Sequence, residues 1–346
     1  MKKYFTLIPV LILICSFSYA KIWRVNNISG INADFTTIQA AHDGAASGDT
    51  IYVEGSPTNY GSLTSSKKLI IIGPGYFLSE NPGNQAITLT AQISYITYNV
   101  GSEDSIIMGM DFYGEINIYC DNITIKRNDF AIAIGGVYDW GPFAIRLNYH
   151  SNNSSIPVSN IYILQNFGTY VYINYASTGV LISNNYITYN SDYGDQTNNA
   201  ILNLNTNCQA IVQNNIFRRG GIDGNANSSF SNNILVNGFV NLNGALSSNN
   251  IASGTQFGTT NGNQANVNMS TVFEASGAWD IYWKLKAGSP AIGAGYGGAD
   301  AGMFGGTTPY VLSGIPSIPS IYSFINQPIG SNSDPINVTI KVKSNN

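Results

Sequence analysis

Six short stretches of this chain share one shape: DNITIKRNDF at 121–130, NIYILQNF at 160–167, GVLISNNYI at 179–187, CQAIVQNNIF at 208–217, SSFSNNIL at 228–235 and ALSSNNIA at 245–252. In each, a short alternating run enters a polar pair, usually Asn-Asn, and an apolar residue follows. Aligned on the second polar position, they place Asp129, Asn166, Asn185, Asn215, Asn233 and Asn250 at spacings of 37, 19, 30, 18 and 17 residues. Against a unit of about 18 residues, 37 is two units and 30 is one unit carrying an insertion. Second alternating runs follow at 171–175, 201–205 and 239–243. Two or three short strands per turn of a fixed-length unit make a parallel β-solenoid, in which each coil buries its apolar face against the next.

The chemistry of the repeat fits that geometry. Period-2 alternation turns Ile, Val, Leu and Phe inward and Asn, Ser and Thr outward. Asn accepts left-handed backbone and bonds neighbouring main chain, which suits a sharp corner. Stacked corners align their amides into a ladder. The chain holds 44 Asn, 36 Gly and 22 Tyr among 346 residues, and only 10% of it is charged. That charge content lies far below the ~25% of ordinary globular proteins and argues against coiled coils and charged helical bundles. A net charge of −4 without a basic run gives no footprint for nucleic acid.

A solenoid needs its ends covered. Asp34 is positioned to N-cap a helix over about 36–46, with Phe35, Ile38, Ala41 and Ala45 as its apolar side and His42 on the exposed face. The first strand follows at 50–54, and further strand-like runs lie at 69–72, 86–89, 105–110 and 116–119. Before all of these, Lys2 and Lys3, an apolar run over 5–17 and Ser18-Tyr19-Ala20 form a secretory signal peptide cleaved near Ala20. The run is too short to span a bilayer. Cleavage removes two Lys and moves the net charge from −4 to −6. It also removes Cys15. The remaining Cys120 and Cys208 form no disulfide framework; they either pair with each other in an oxidising compartment or, the favoured reading, each fill a small buried site.

Two motifs then resemble a known family. The stretch FTTIQAAHDGAASGDTIYV at 35–53 resembles the cap-and-first-strand opening of pectate-lyase-like secreted proteins. LKAGSPAIGAGYGGADAGMFGG at 285–306 resembles the closing motif of secreted bacterial β-helix proteins. The resemblance implies an all-β fold, a right-handed parallel β-helix with a short N-terminal capping helix, over residues 21–306. It also implies export. It does not imply one activity, because the superfamily holds lyases, hydrolases, epimerases and non-enzymatic surface proteins. Where other members carry an acid after the Ala-Ile, this chain has Gly293. Residues 307–346 are Pro-rich and end in the alternating run INVTIKV, which predicts an extended tail along the helix with a terminal β segment.

For chemistry, a Ca²⁺-dependent polysaccharide lyase requires carboxylates to hold the cation against uronates and an Arg or Lys as base. The best constellation is Asp192, Asp195 and Asp223 as metal ligands with Arg219 and Arg218 as the basic group, since Asp192 and Asp223 fall at similar offsets from their aligned Asn. Polygalacturonase motifs are absent, and His150 lacks their neighbours. A carboxylate pair for glycoside hydrolysis is left open by spacing alone, because coiling brings distant acids together. Tyr138, Trp140, Tyr149, Tyr186, Tyr189 and Tyr193 cluster around the insertions as rings on which sugars stack. The expectation is a secreted or surface protein that binds extracellular polysaccharide. Its alternatives are the Ca²⁺-dependent lyase and a non-catalytic structural or adhesive solenoid.

Overall fold

The computed structural model describes residues 20–130, 144–148, 157–188 and 200–345. Among them the chain forms a parallel β-helix. Ten strands, from Ile22–Val25 to Leu246–Ser248, stack in parallel as the first face, and fifteen more form a bent sheet that supplies the second and third. A representative coil passes through Val180–Ser183 on the first face, turns at Asn184-Asn185, and enters Tyr186–Thr188 on the second. It then continues through Ala200–Leu204 on the third before Ala210–Gln213 returns to the first. Strands of three or four residues suffice because each pairs in register with both neighbours. Ile163, Ile182, Val212 and Phe230 stack in one such inward file.

The two members of each polar pair do different work. The first holds left-handed backbone: φ is 56° at Arg127 and Gln165, 59° at Asn184, 54° at Asn214, 57° at Asn232 and 55° at Asn249. The second turns inward and is buried. Asn166, Asn185, Asn215, Asn233 and Asn250 form a ladder in which each backbone N–H donates to the Oδ1 of the next at 2.8–3.0 Å, ending on Asn263. At the other end, Asn128 rather than Asp129 occupies the ladder, donating through its backbone N–H to Asn166 Oδ1 at 3.0 Å. The sequence alignment was therefore one residue off in that unit. Because Asn128 bonds Asn166 directly, the long interval is also a single coil carrying insertions, not two units. With no intervening ladder residue, chain length alone misled the count.

The cap is one short helix, Ile38–Gly44, whose N-cap is Thr37, with its side chain accepting from Ala40 N at 3.2 Å. Asp34 instead accepts from Arg24 N at 2.8 Å. A bridge between Val25 and Phe35 keeps the chain extended past Asp34, so the helix starts later. His42 is buried, not exposed, because positions 38, 41, 42 and 45 follow the i, i+3, i+4, i+7 stripe that faces the core. Its Nε2 accepts from Ser66 N at 3.2 Å, and its Nδ1 lies 2.8 Å from Asp43 Oδ1. The stretch 86–89 forms no strand; Ala86 N donates to Ile321 O and Ile87 faces solvent.

The last solenoid strand is Ile251–Ala252. The following chain first lays a further turn on this last coil, bridging Ile251 to Gln264 and burying Phe257, and then folds back along the helix. This strap is read off by the left-handed corner side chains in succession. Asn249 donates to Ala294 O, Asn232 accepts from Tyr296 N, and Asn214 donates to Asp300 O. Asn184 donates to Met303 O and Gly305 O, Gln165 to Pro309 O, and Arg127 to Ile315 O. Beneath the strap, Phe167, Tyr186, Ile216, Ile234 and Ile251 of the second face pack against Phe273, Trp283, Ala291 and Met303. Each such burial contributes ~1.5–3 kcal/mol. The tail then ends as an antiparallel hairpin of Ser320–Asn326 and Val338–Lys343, so the terminal β segment has a partner strand. Cys120 and Cys208 are separate buried thiols, each pushed up to about 12 by burial.

Candidate functional site

Parallel in-register stacking turns one residue per coil into a continuous outward file. On the third face that file is Thr64, Thr97, Asn117, Arg146, Tyr172, Asn203, Asp223 and Asn241. Its inward neighbours are buried Ile and Leu, which fix its direction. At the ~4.8 Å spacing of adjacent strands, eight members cover roughly 34 Å. The file is polar throughout and ordered by its own contacts. Arg146 Nη2 lies 2.7 Å from Glu115 Oε1, and its guanidinium sits 5.6 Å from the Tyr172 ring centroid. Tyr172 donates to Ala200 O at 2.8 Å and meets Tyr170 edge-on at 5.0 Å. Asn241 Nδ2 donates to Asp223 Oδ1 at 2.7 Å. Tyr95, two residues before Thr97 and so on the same face, is 49% exposed.

The residues singled out from sequence are distributed differently. Tyr138, Trp140, Tyr149, His150, Tyr189, Asp192, Tyr193 and Asp195 lie outside the described residues. Tyr186 is fully buried between Phe167, at 4.6 Å, and Trp283, at 4.7 Å, and offers no ring face to a sugar. The strap that covers it was not foreseen. Arg218 leaves the second face to sit 5.9 and 5.6 Å from the Trp279 and Trp283 ring centroids. Arg219 takes a left-handed corner, φ 56°, with its backbone N–H on Asn237. Asp223 stands on the third face. Among the described residues no ion pair joins either Arg to Asp223, and no three His, Cys, Asp or Glu side chains gather as a metal requires. The proposed basic group and Asp223 therefore occupy different faces.

A second arrangement escaped sequence reasoning. Asp111 and Asp129 pair in register on adjacent coils, at the outward position of the second face where later coils carry Phe167 and Tyr186. Each is 8% exposed. Asp111 Oδ2 accepts from Thr90 and Gln92 at 3.1 and 3.4 Å. Nearby, Asp280 accepts from Asn81 Nδ2 at 2.9 Å and from Ser313 N at 2.7 Å, and the Tyr76 and Tyr310 hydroxyls meet at 2.7 Å. Burial pushes Asp111 up to about 6, and burial with the adjoining Asp111 and Asp280 charges pushes Asp129 well above the usual carboxylate range. The available signal was the repeated Asp-Phe, 18 residues apart at 111 and 129. The misplaced ladder position of Asp129 concealed it. Asp129 lies near Asp280 and Tyr310 of the returning chain, whereas the hydrogen bonds of Asp111 go to Thr90 and Gln92.

No known protein family and no curated protein matches this chain.

Proposed function

We propose that this protein is exported, is of the pectate-lyase-like type, and binds an extended polysaccharide along its third face without cleaving it. The observation that carries the reading is the file from Thr64 to Asn241, a row of mostly hydroxyl and amide groups with Tyr172, Arg146 and Asp223 among them, at the pitch of the coils. Amides and hydroxyls match sugar hydroxyls, and the exposed Tyr95 ring supplies a flat apolar surface for a pyranose. The lyase alternative needs a base beside metal-holding carboxylates, and Arg218 is engaged by aromatic rings on another face. The amino-terminal segment with its Ala20 cleavage point supports export.

Electrophoresis through gels containing dissolved polysaccharides tests the reading. Wild-type protein is expected to be retarded by at least one polymer, and Tyr95→Ala to weaken that retardation about tenfold, the equivalent of ~1.4 kcal/mol. Tyr95 is exposed, so this variant should keep the wild-type melting temperature. Equal retardation of wild type and variant would remove the third face from the site.

A further inference from the structure

We infer that the polysaccharide is uncharged: the third face is built to accept a neutral, hydroxyl-rich glycan and to turn away polyuronates and other anionic chains. This rests on the binding reading above and adds the chemical class of its ligand. The charged groups described on that face are Arg146, Glu115 and Asp223, one cation against two carboxylates. The cation is already engaged, because Glu115 Oε1 lies 2.7 Å from Arg146 Nη2 and both side chains are mostly shielded from solvent. Asp223 has the Asn241 amide at 2.7 Å and Asn203 as its register neighbour on the other side, but no basic partner among the described residues. The fixed charge left over is therefore negative.

The whole chain carries −4. A polyuronate brings one carboxylate per sugar, and recognising it takes unpaired Arg or Lys in a fork or a row. Like charge placed against like charge instead costs affinity and excludes the wrong partner. Thr64, Thr97, Asn117, Asn203 and Asn241 have the opposite aptitude. They donate and accept without net charge, as sugar hydroxyls do.

The test uses full-length mature protein in gels containing neutral polymers (xylan, mannan, galactan, mixed-linkage glucan) or anionic ones (polygalacturonate, alginate), each at low and high salt. The expected result is retardation by one or more neutral polymers, insensitive to salt, with at least tenfold weaker retardation by either anionic polymer. Glu115→Gln releases Arg146 from its counter-ion. It should gain retardation by the anionic polymers that high salt abolishes. Wild-type retardation by polygalacturonate or alginate that matches or exceeds every neutral polymer would overturn the inference and leave the binding reading intact. Retardation by none of the six would remove both. Should Glu115→Gln fail to fold, Asp223→Asn, which removes the uncompensated carboxylate, should narrow the gap between neutral and anionic polymers, and an unchanged gap would overturn the inference.

Discussion

Asn185→Ala should lower local stability by about 3–5 kcal/mol, far more than the same change one residue earlier. Asn185 is fully buried, and its Oδ1 accepts from Asn166 N at 2.8 Å and from Asn166 Nδ2 at 3.0 Å. Its Nδ2 donates to Ile163 O and Ser183 O, at 2.9 and 3.0 Å. Alanine orphans the buried Asn166 backbone N–H, at ~1–3 kcal/mol. It also removes the further bonds to Asn166 Nδ2, Ile163 O and Ser183 O, of which Asn166 Nδ2 keeps Ile125 O and Ser183 O keeps Gln165 N. At Asn184 the amide nitrogen donates to the strap carbonyls of Met303 and Gly305, and Oδ1 accepts from the neighbouring Ser183 hydroxyl. Asn184→Ala should therefore cost about 1–2 kcal/mol, part of it for alanine in left-handed backbone. Coils of a solenoid open by neighbourhoods, so amide hydrogen exchange at Ile163, Ile182 and Val212 is the appropriate measurement. Equal loss of protection in the two variants would show that the ladder has no special role.

Raising the pH through about 6 should loosen the attachment of the strap. Asp111 and Asp129 both hold their protons more tightly folded than unfolded. The folded state therefore binds protons that the unfolded state has released. The stability this confers is complete below the unfolded aspartate range near ~3.9, declines above it, and is lost as the pH rises past the folded values. Each unit of upward shift corresponds to ~1.4 kcal/mol. Apart from Arg127, the groups around the pair are acids or neutral: Thr90 and Gln92 beside Asp111, Glu80, Tyr76 and the third carboxylate Asp280 toward Asp129, and Tyr310 from the strap. The nearby cation, Arg127, is committed to Gln165, Ile315 O and Ser317. The melting temperature should fall between pH 5 and 7, and Asp111→Asn with Asp129→Asn should flatten the profile. A wild-type profile already flat across that range would refute the assignment.

Much of the architecture was legible because its determinants are local. A strand that alternates, a corner that requires left-handed backbone and an amide that bonds its neighbour are each written in three or four consecutive residues. The coils around Asn185, Asn215 and Asn233 were accordingly placed correctly. The unit at 121–130 was misaligned because Arg127 stands at the corner where other units carry Asn or Gln, and Asp129 looked more like a pair member than Asn128. The strap was invisible for a different reason. Its contacts join Asn184 to Gly305 and Arg127 to Ile315, across well over a hundred residues, with backbone carbonyls that no side-chain pattern records. That gap also explains the misjudged Tyr186, whose outer side is covered by Trp283 of the strap. Three strands of the third face were legible as the alternating runs at 171–175, 201–205 and 239–243, but not the outward file they belong to. Its line-up depends on which residue of each coil shares a register, and pairing decides that.

A stack of coils held only by nearest neighbours peels like a zipper when its ends are pulled, one turn at a time and each at low force. The returning strap changes that mechanical behaviour. It runs from the coil of Asn249 to the coil of Arg127 and is fastened at every corner between, so tension along the axis is shared between strap and coils instead of falling on the outermost turn. Under an optical trap, extension should therefore proceed by one large rupture, at which the strap detaches, followed by the small regular steps of single coils.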